Sequence, residues 1–375
     1  MARPVATALA NALAGIGQTY PGSRTFNRMI DKTASQLLRP VVADPTAVAL
    51  EVLDVTAEVK CLTLTREDWS PASVNVWAIR DGDGWTIVDT GFPGEGTRRL
   101  WDTAIAQHLG APIRQVICTH YHVDHVGQAD HLLQGGDAKF RITRVEWAKA
   151  QQVRQNEGKD WRALRMRQLH RSGFPPEAVR QAEIERSYAV PFRTQMNCAA
   201  LEAGEVLEIG TTAWEVEIAG GHSPAPAILI NRRDELMIVG DQLLPRITTH
   251  VGVPADDPEG DPLGAYFQFL DRMQSVEARY LALPGHGPAF ADIPARAAQV
   301  RQQRLERLER AFEAVRTPRP CIDVIEHIYG RRLEGLPLLL GESETLANLN
   351  HLVSLGRVRR EIDGEGRFIF SQAAE

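Results

Sequence analysis

Four metal-binding side chains crowd into six consecutive positions of this chain: His120, His122, Asp124 and His125, within Thr119-His120-Tyr121-His122-Val123-Asp124-His125-Val126-Gly127. The apolar run Val116-Ile117-Cys118 precedes them, so the cluster sits where a buried strand ends. In an extended segment residues two apart face the same way, and His120 and His122 can therefore grip one ion from one side. Asp124 and His125 fall where the chain turns into a helix, which rotates them toward a second ion. Burying three imidazoles and a carboxylate without an ion would leave each to be desolvated and paired at considerable cost. A fold that accommodates this run must bring further ligands to the same strand end.

The candidates lie far downstream. His222 stands in Gly220-Gly221-His222-Ser223-Pro224, Asp241 in Val239-Gly240-Asp241, and His286 in Pro284-Gly285-His286-Gly287. Glycine flanks each of them, as needed where backbone must turn sharply and approach a crowded centre. With His120, His122 and His125, His222 and His286 bring five of the eleven histidines into one proposed site.

The hydrophobic pattern supplies strands to carry these residues. β-Branched and alternating runs at residues 52–64, 74–79 and 85–88 read as antiparallel strands, the last two joined by Asp81-Gly82-Asp83-Gly84, a hairpin signal. Residues 96–109 read as a helix, 113–118 as a short buried strand, and a helix is expected after His125. Strands resume at 206–209, 213–218, 227–230 and 236–239, with a last one at 280–283. Residues 144–188 are charged and helix-periodic, broken at Gly173-Phe174-Pro175-Pro176, where the prolines would start a new helix. This stretch is expected to form a helical insertion, at about residues 144–190, that covers the site; Trp147, Trp161, Phe174 and Tyr188 are available to line an apolar pocket. A charged helix at 295–315, short helices and a hairpin at 357–370 around Asp363-Gly364-Glu365-Gly366 suggest a winged-helix-like end. The expected division is an N-terminal arm at 1–50, helical over 24–38, a catalytic domain at 51–293 and a C-terminal region at 294–375.

Taken in this order, the motifs resemble those of the metallo-β-lactamase superfamily over roughly residues 50–290. Asp89, in Val88-Asp89-Thr90-Gly91, matches the first of its five motifs. The resemblance implies an α/β fold, the four-layer αββα sandwich, here with a helical insertion and a small winged-helix-like C-terminal domain. It implies that His120, His122 and His222 hold one metal and Asp124, His125 and His286 the other, with Asp241 bridging and Asp89 orienting ligands. Two divalent ions are the expected cofactors; zinc is favoured by ligand type, and iron and manganese are compatible. Residues 261–270 and 346–360 are similar to a bacterial subgroup whose members are glyoxalase II-like or general hydrolases. After His222, Ser223-Pro224-Ala225-Pro226 replaces the glycine and second histidine of glyoxalase II.

Two ions about 3.5–4 Å apart lower the pKa of a shared water toward 7, supplying a bridging hydroxide while polarising the attacked oxygen. With Asp124 and Asp89 as the catalytic carboxylates, the expected activity is hydrolysis of a small acyl thioester or ester, since a thiolate leaves without a general acid. Arg246 and His250, shortly after Asp241, are placed to meet an anionic leaving group. The motifs also allow lactone or β-lactam hydrolysis, RNA cleavage and non-hydrolytic metal binding. Charge weighs against RNA: the formal net charge is -6, and the arginines of the C-terminal region are offset by carboxylates. Cys61, Cys118, Cys198 and Cys321 are far apart and form no Cys-x-x-Cys pair, so reduced, buried thiols are expected. No apolar run approaches the roughly 20 residues that span a bilayer. The Ala-rich N-terminus, interrupted by Asn11, reads as an amphipathic helix rather than an export signal. The resulting expectation is a cytoplasmic enzyme with a small-molecule substrate, no nucleic-acid or membrane partner, and room for a homodimer.

Overall fold

Strand β3 (Ser73–Asp81) shows how the layers arise. Val74, Val76 and Ala78 enter one hydrophobic cluster, whereas Trp77 and Ile79 enter another. The two-residue period of an extended chain sends alternate side chains to opposite faces, and here both faces are apolar. The same split recurs in β10 (Ala227–Asn231) and β11 (Leu236–Gly240), where Leu229 and Ile238 face one way and Ile228 and Val239 the other. These strands are therefore buried on both sides, which is why they read as continuous apolar runs.

The computed structural model describes residues 48–134, 138–155, 159–177 and 198–374. One sheet places seven strands in sequence order: β1 (Val48–Asp54), β2 (Val59–Arg66), β3, β4 (Gly84–Val88), β5 (Ile113–Ile117), β6 (Lys139–Thr143) and β7 (Cys198–Leu201). Pairing is antiparallel from β1 to β4 and parallel from β4 to β7. The second sheet runs β12-β11-β10-β9-β8, with β8 (Val206–Ile209), β9 (Thr212–Ile218) and β12 (Leu281–Pro284). Only the β11–β12 pair in it is parallel. Trp77, Ile79, Val88 and Ile117 of the first sheet meet Trp214, Val216, Leu229 and Ile238 of the second.

Helices close the outer faces. Against the first sheet lie α1 (Glu95–Ala104), α2 (Val123–Val126), α3 (Ala129–Leu132) and α4 (Arg144–Gln155), through Trp101, Val126, Leu132 and Ala150. Against the second lie α6 (Pro262–Gln274) and α7 (Ile293–Ala314), through Tyr266, Phe269, Val300 and Leu308. This is the expected αββα order. The chain ends with β13 (Arg319–Pro320), α8 (Ile322–Tyr329), α9 (Gly335–Ser354) and the hairpin of β14 (Val358–Ile362) and β15 (Phe368–Gln372), in a small sheet ordered β13-β15-β14. Val324, Leu346, Leu349 and Phe370 of this tail belong to the same cluster as the outer face of the second sheet.

Several elements depart from expectation. The run at 52–64 is two strands, β1 and β2, rather than one. The helix after His125 begins before it, so α2 itself carries Asp124 and His125. The helix expected through 109 widens after α1 into a π turn, Ile105–Leu109, and stops at Gly110. Strands β6 and β7 and helix α6 were not anticipated, although Asp261-Pro262 is a helix start: the Asp261 carboxylate accepts the Gly264 N–H at 2.8 Å. Within the insertion, α4 and α5 (Lys159–Arg171) form as expected, and the helix due from Pro175 runs into residues outside those described. Trp147 packs on Phe140 beneath the first sheet, ring centroids 5.4 Å apart, while Phe174 packs with Leu169, Ile325 and Leu333. The two belong to different hydrophobic clusters. The side chain of Trp161, Tyr188 and the N-terminal arm up to residue 47 lie outside the described residues. All four cysteines are free, with Cys61, Cys118 and Cys321 buried. No helix among the described residues is long and apolar enough to cross a membrane.

Candidate metal centre

The strand ends bring all seven expected ligands together at one edge of the sandwich. The turn after β5 carries His120 and His122, and α2 adds Asp124 and His125. From the second sheet come His222 between β9 and β10, Asp241 directly after β11, and His286 directly after β12. Their ligating atoms form three mutually close groups: His120, His122 and His222; Asp124, His125 and His286; and His120, His125 and Asp241. The first two groups are the two half-sites implied by the motifs. The third spans them, which puts Asp241 at the bridge.

Distances and tautomers fit metal ions. His120 Nε2, His122 Nδ1 and His222 Nε2 lie 3.0, 2.9 and 3.2 Å from one another. The opposite nitrogens are engaged elsewhere: His125 Nδ1 with Asp89 Oδ2 at 2.9 Å, His222 Nδ1 with the His250 carbonyl at 2.8 Å, and His286 Nδ1 with the Ser73 carbonyl. Carboxylate and carbonyls can only accept, so each of these Nδ1 atoms carries the proton and each Nε2 presents a lone pair to the centre. His120 follows the same logic at one remove. The Thr119 hydroxyl donates to Asp89, leaving its own lone pair to accept His120 Nδ1–H at 3.0 Å. Lone pairs aimed at one point repel unless a cation lies between them. Two buried atoms in the cluster, His125 Nε2 and Asp241 Oδ1, also have no hydrogen-bond partner, which a metal ion would supply.

The electrostatics agree. Burial, with neighbouring imidazoles, pushes His120 well below the usual histidine range, and burial likewise lowers His122 and His222, so all three are neutral ligands. Burial opposes charge on Asp241, yet His286 and His125 hold its carboxyl well below the usual carboxylate range. Burial also opposes charge on His125, but Asp241 and Asp89 raise its pKa well above normal. That excess proton affinity is the affinity a second cation would satisfy.

Glycine is required where the site is tightest. A Cβ on Gly285 would overlap Asp241 Oδ1 and the His125 ring. Gly221, beside His222, has φ +119 and lies against Tyr266.

Two residues that hold the site were missed in the sequence. Glu146, fully buried at the start of α4, accepts the Tyr121 N–H at 3.0 Å and the Ala225 N–H at 2.6 Å, tying the His122 turn to the His222 turn. Burial raises its pKa while those amide donors pull against the rise. Asn75 on β3 donates its side-chain amide to the carbonyls of Pro284 and Gly287, bracketing His286. Glu146 had a faint signal, a lone acid amid apolar neighbours; Asn75 had none, its partners being more than 200 residues away. Arg246 is exposed. His250 contributes its carbonyl to His222, while its ring lies between Ser343 Oγ at 3.4 Å and Glu344 Oε1 at 3.7 Å. Asp89 lies behind the cluster, bonded to His125 and Thr119, and Asp124 groups with His125 and His286 as a set that could hold an ion.

The sequence pattern of the metallo-beta-lactamase superfamily matches residues 69–286, which include every one of these ligands and Asp89. The chain belongs to that superfamily. A relative in Bacillus subtilis, described as the probable metallo-hydrolase YqjP, is 24% identical over 283 residues, covering 72% of this chain and 85% of its own. A beta-lactamase domain protein from Burkholderia ambifaria superposes with TM-score 0.76 at 28% identity, over 86% of this chain and 94% of that one. The metallo-beta-lactamase family protein TTHA1429 from Thermus thermophilus superposes with TM-score 0.70 at 23% identity, over 85% of this chain and 100% of its own. The last likeness concerns fold alone. Together they extend the match beyond the family pattern into the C-terminal tail.

Proposed function

We propose that this metallo-beta-lactamase superfamily member is a hydrolase of small acyl thioesters or esters that works with two divalent ions, zinc by preference. The observation that carries the hydrolase reading is the division of seven ligands into two half-sites around Asp241, with lone pairs turned inward and two buried ligand atoms lacking partners. When bound, the ions would activate water as the nucleophile and polarise the attacked oxygen. The chain's own part is to hold the geometry: Asp89 and the carbonyls of Ser73 and His250 fix the imidazole tautomers, so the ligands need not reorganise during turnover. His120 and His125 are fully buried at the back of the site, while His122 keeps partial exposure. A thioester suits such a site because its thiolate departs without an added proton. The net charge of -6 supports a small substrate over a polyanion.

Steady-state hydrolysis by protein loaded with two metal equivalents, across an acyl thioester, an aryl ester, a lactone, a β-lactam, a phosphodiester and RNA, tests this. The highest kcat/KM is expected for the thioester or ester, with turnover lost in Asp124→Ala. RNA cleavage lost in Asp124→Ala, without thioester or ester turnover, would replace the substrate class.

A further inference from the structure

A buried ion-pair network in the C-terminal tail reaches the metal ligands through the loop that follows Asp241. Glu344, in the middle of α9, is nearly buried and gathers Arg304 at 3.0 Å and Arg307 at 3.3 Å from α7, and the Tyr329 hydroxyl at 2.6 Å from α8. It also accepts the Val251 N–H at 3.3 Å. Arg304, 1% exposed, donates to the Thr249 carbonyl, and the Thr249 hydroxyl donates to the carbonyl of Asp241 at 2.6 Å. Next in the loop, the His250 carbonyl holds the His222 ring. The Ser343 carbonyl accepts the Val253 N–H, and Gln168 of α5 donates to the Val253 carbonyl at 3.0 Å.

A buried guanidinium and carboxylate are expensive unless fully engaged, and replacing such a pair by apolar residues often costs nothing in stability. Packing alone therefore does not explain this pair. The pair bonds Thr249 through Arg304 and Val251 through Glu344, on either side of His250; the Thr249 hydroxyl holds the Asp241 carbonyl and the His250 carbonyl holds the His222 ring. We infer that the Glu344–Arg304 pair is a positioning device for the metal centre, setting His222 and the bridging Asp241 from the C-terminal tail. This inference rests on the dinuclear reading above. It makes the tail a working part of the centre, because His222, of one half-site, and Asp241, shared by both, hang on this loop, whereas His120 and His122 are held from the first sheet.

Chelator competition on the full chain, together with the visible spectrum of the cobalt(II)-loaded protein, tests the inference. Glu344→Gln is expected to weaken the metal equivalent held by His222 about 10- to 100-fold and shift its cobalt band, with a smaller loss at the other equivalent through the shared Asp241. Thr249→Val, which removes only the hydroxyl bonded to Asp241, is expected to act in the same direction. Glu309→Gln, on the same helix α7 as Arg304, breaks the exposed pair with Arg357; it serves as the control and should bind both equivalents normally. Wild-type affinities in both Glu344→Gln and Thr249→Val would overturn the inference while leaving the dinuclear reading intact, as would equal weakening of both equivalents. If Glu344→Gln does not fold, Thr249→Val decides alone. A wild-type protein that binds no metal would remove the dinuclear reading and this inference together.

Discussion

One carboxylate, Asp89, governs both half-sites. It takes the His125 Nδ1 proton directly and holds the Thr119 hydroxyl that receives His120. It does so with φ 63, a left-handed backbone that Asp tolerates better than most residues. Asn keeps that backbone preference but has one acceptor oxygen for the Thr119 N–H, the Thr119 hydroxyl and His125. Asp89→Asn should therefore weaken both metal equivalents by about 10- to 100-fold with little change in circular dichroism, as read by chelator competition. Unchanged affinity would mean that Asp89 does not fix the tautomers. Gly285→Ala is a harsher change, because its methyl would strike Asp241 and His125. Loss of at least one bound equivalent by elemental analysis is expected, and full retention of both would contradict the packing described for that turn.

Helix α4 links the insertion to the site through Glu146 alone among the groups described above. Glu146→Ala leaves the N–H groups of Tyr121 and Ala225 without their acceptor, a loss of about 2–6 kcal/mol at roughly 1–3 kcal/mol per unsatisfied buried group. Urea denaturation of metal-free protein should show it, and a change below about 1 kcal/mol would point to replacement acceptors or water. The legibility of elements follows the range of their contacts. The ligands could be read because four crowd after one apolar run and the other three each stand beside glycine, signals contained within ten residues. Strands β3, β5, β10 and β11 were legible for the same reason. Strand β6 begins with an exposed Lys and contains Arg141, and β7 has only four residues; both become strands by parallel pairing with segments far away in sequence. Asn75, Glu146 and Glu344 escaped notice because a polar residue declares its role only through partners, and theirs lie 15 to more than 200 residues distant.

Across the whole molecule, metal binding and folding are linked by mass action. Free metal at a hundred times Kd adds about 2.7 kcal/mol per ion, so chelation should lower the melting temperature by roughly 3–4 °C per ion; no change would show that bound ions do not prefer the folded chain. Acid should act on the tail separately. Burial opposes ionisation of Glu344, but Arg304 and its other partners bring its pKa down to about 2 from the ordinary 4.5. A carboxylate depressed in the folded state stabilises it fully above about 4.5, and that contribution drains away as pH falls toward 2. Metal-free wild type should consequently lose more melting temperature between pH 5 and pH 3 than Glu344→Gln, and parallel curves would exclude Glu344 as a source of acid sensitivity. The split of ligands between sheets also bears on biosynthesis. His120, His122, Asp124 and His125 leave the ribosome about a hundred residues before His222, and His286 follows later still. Neither half-site is complete until the second sheet supplies its ligand, His222 for one and His286 for the other, so the ions would be rivets through two plates, and a chain stalled between residues 241 and 286 has the hole for only one of them.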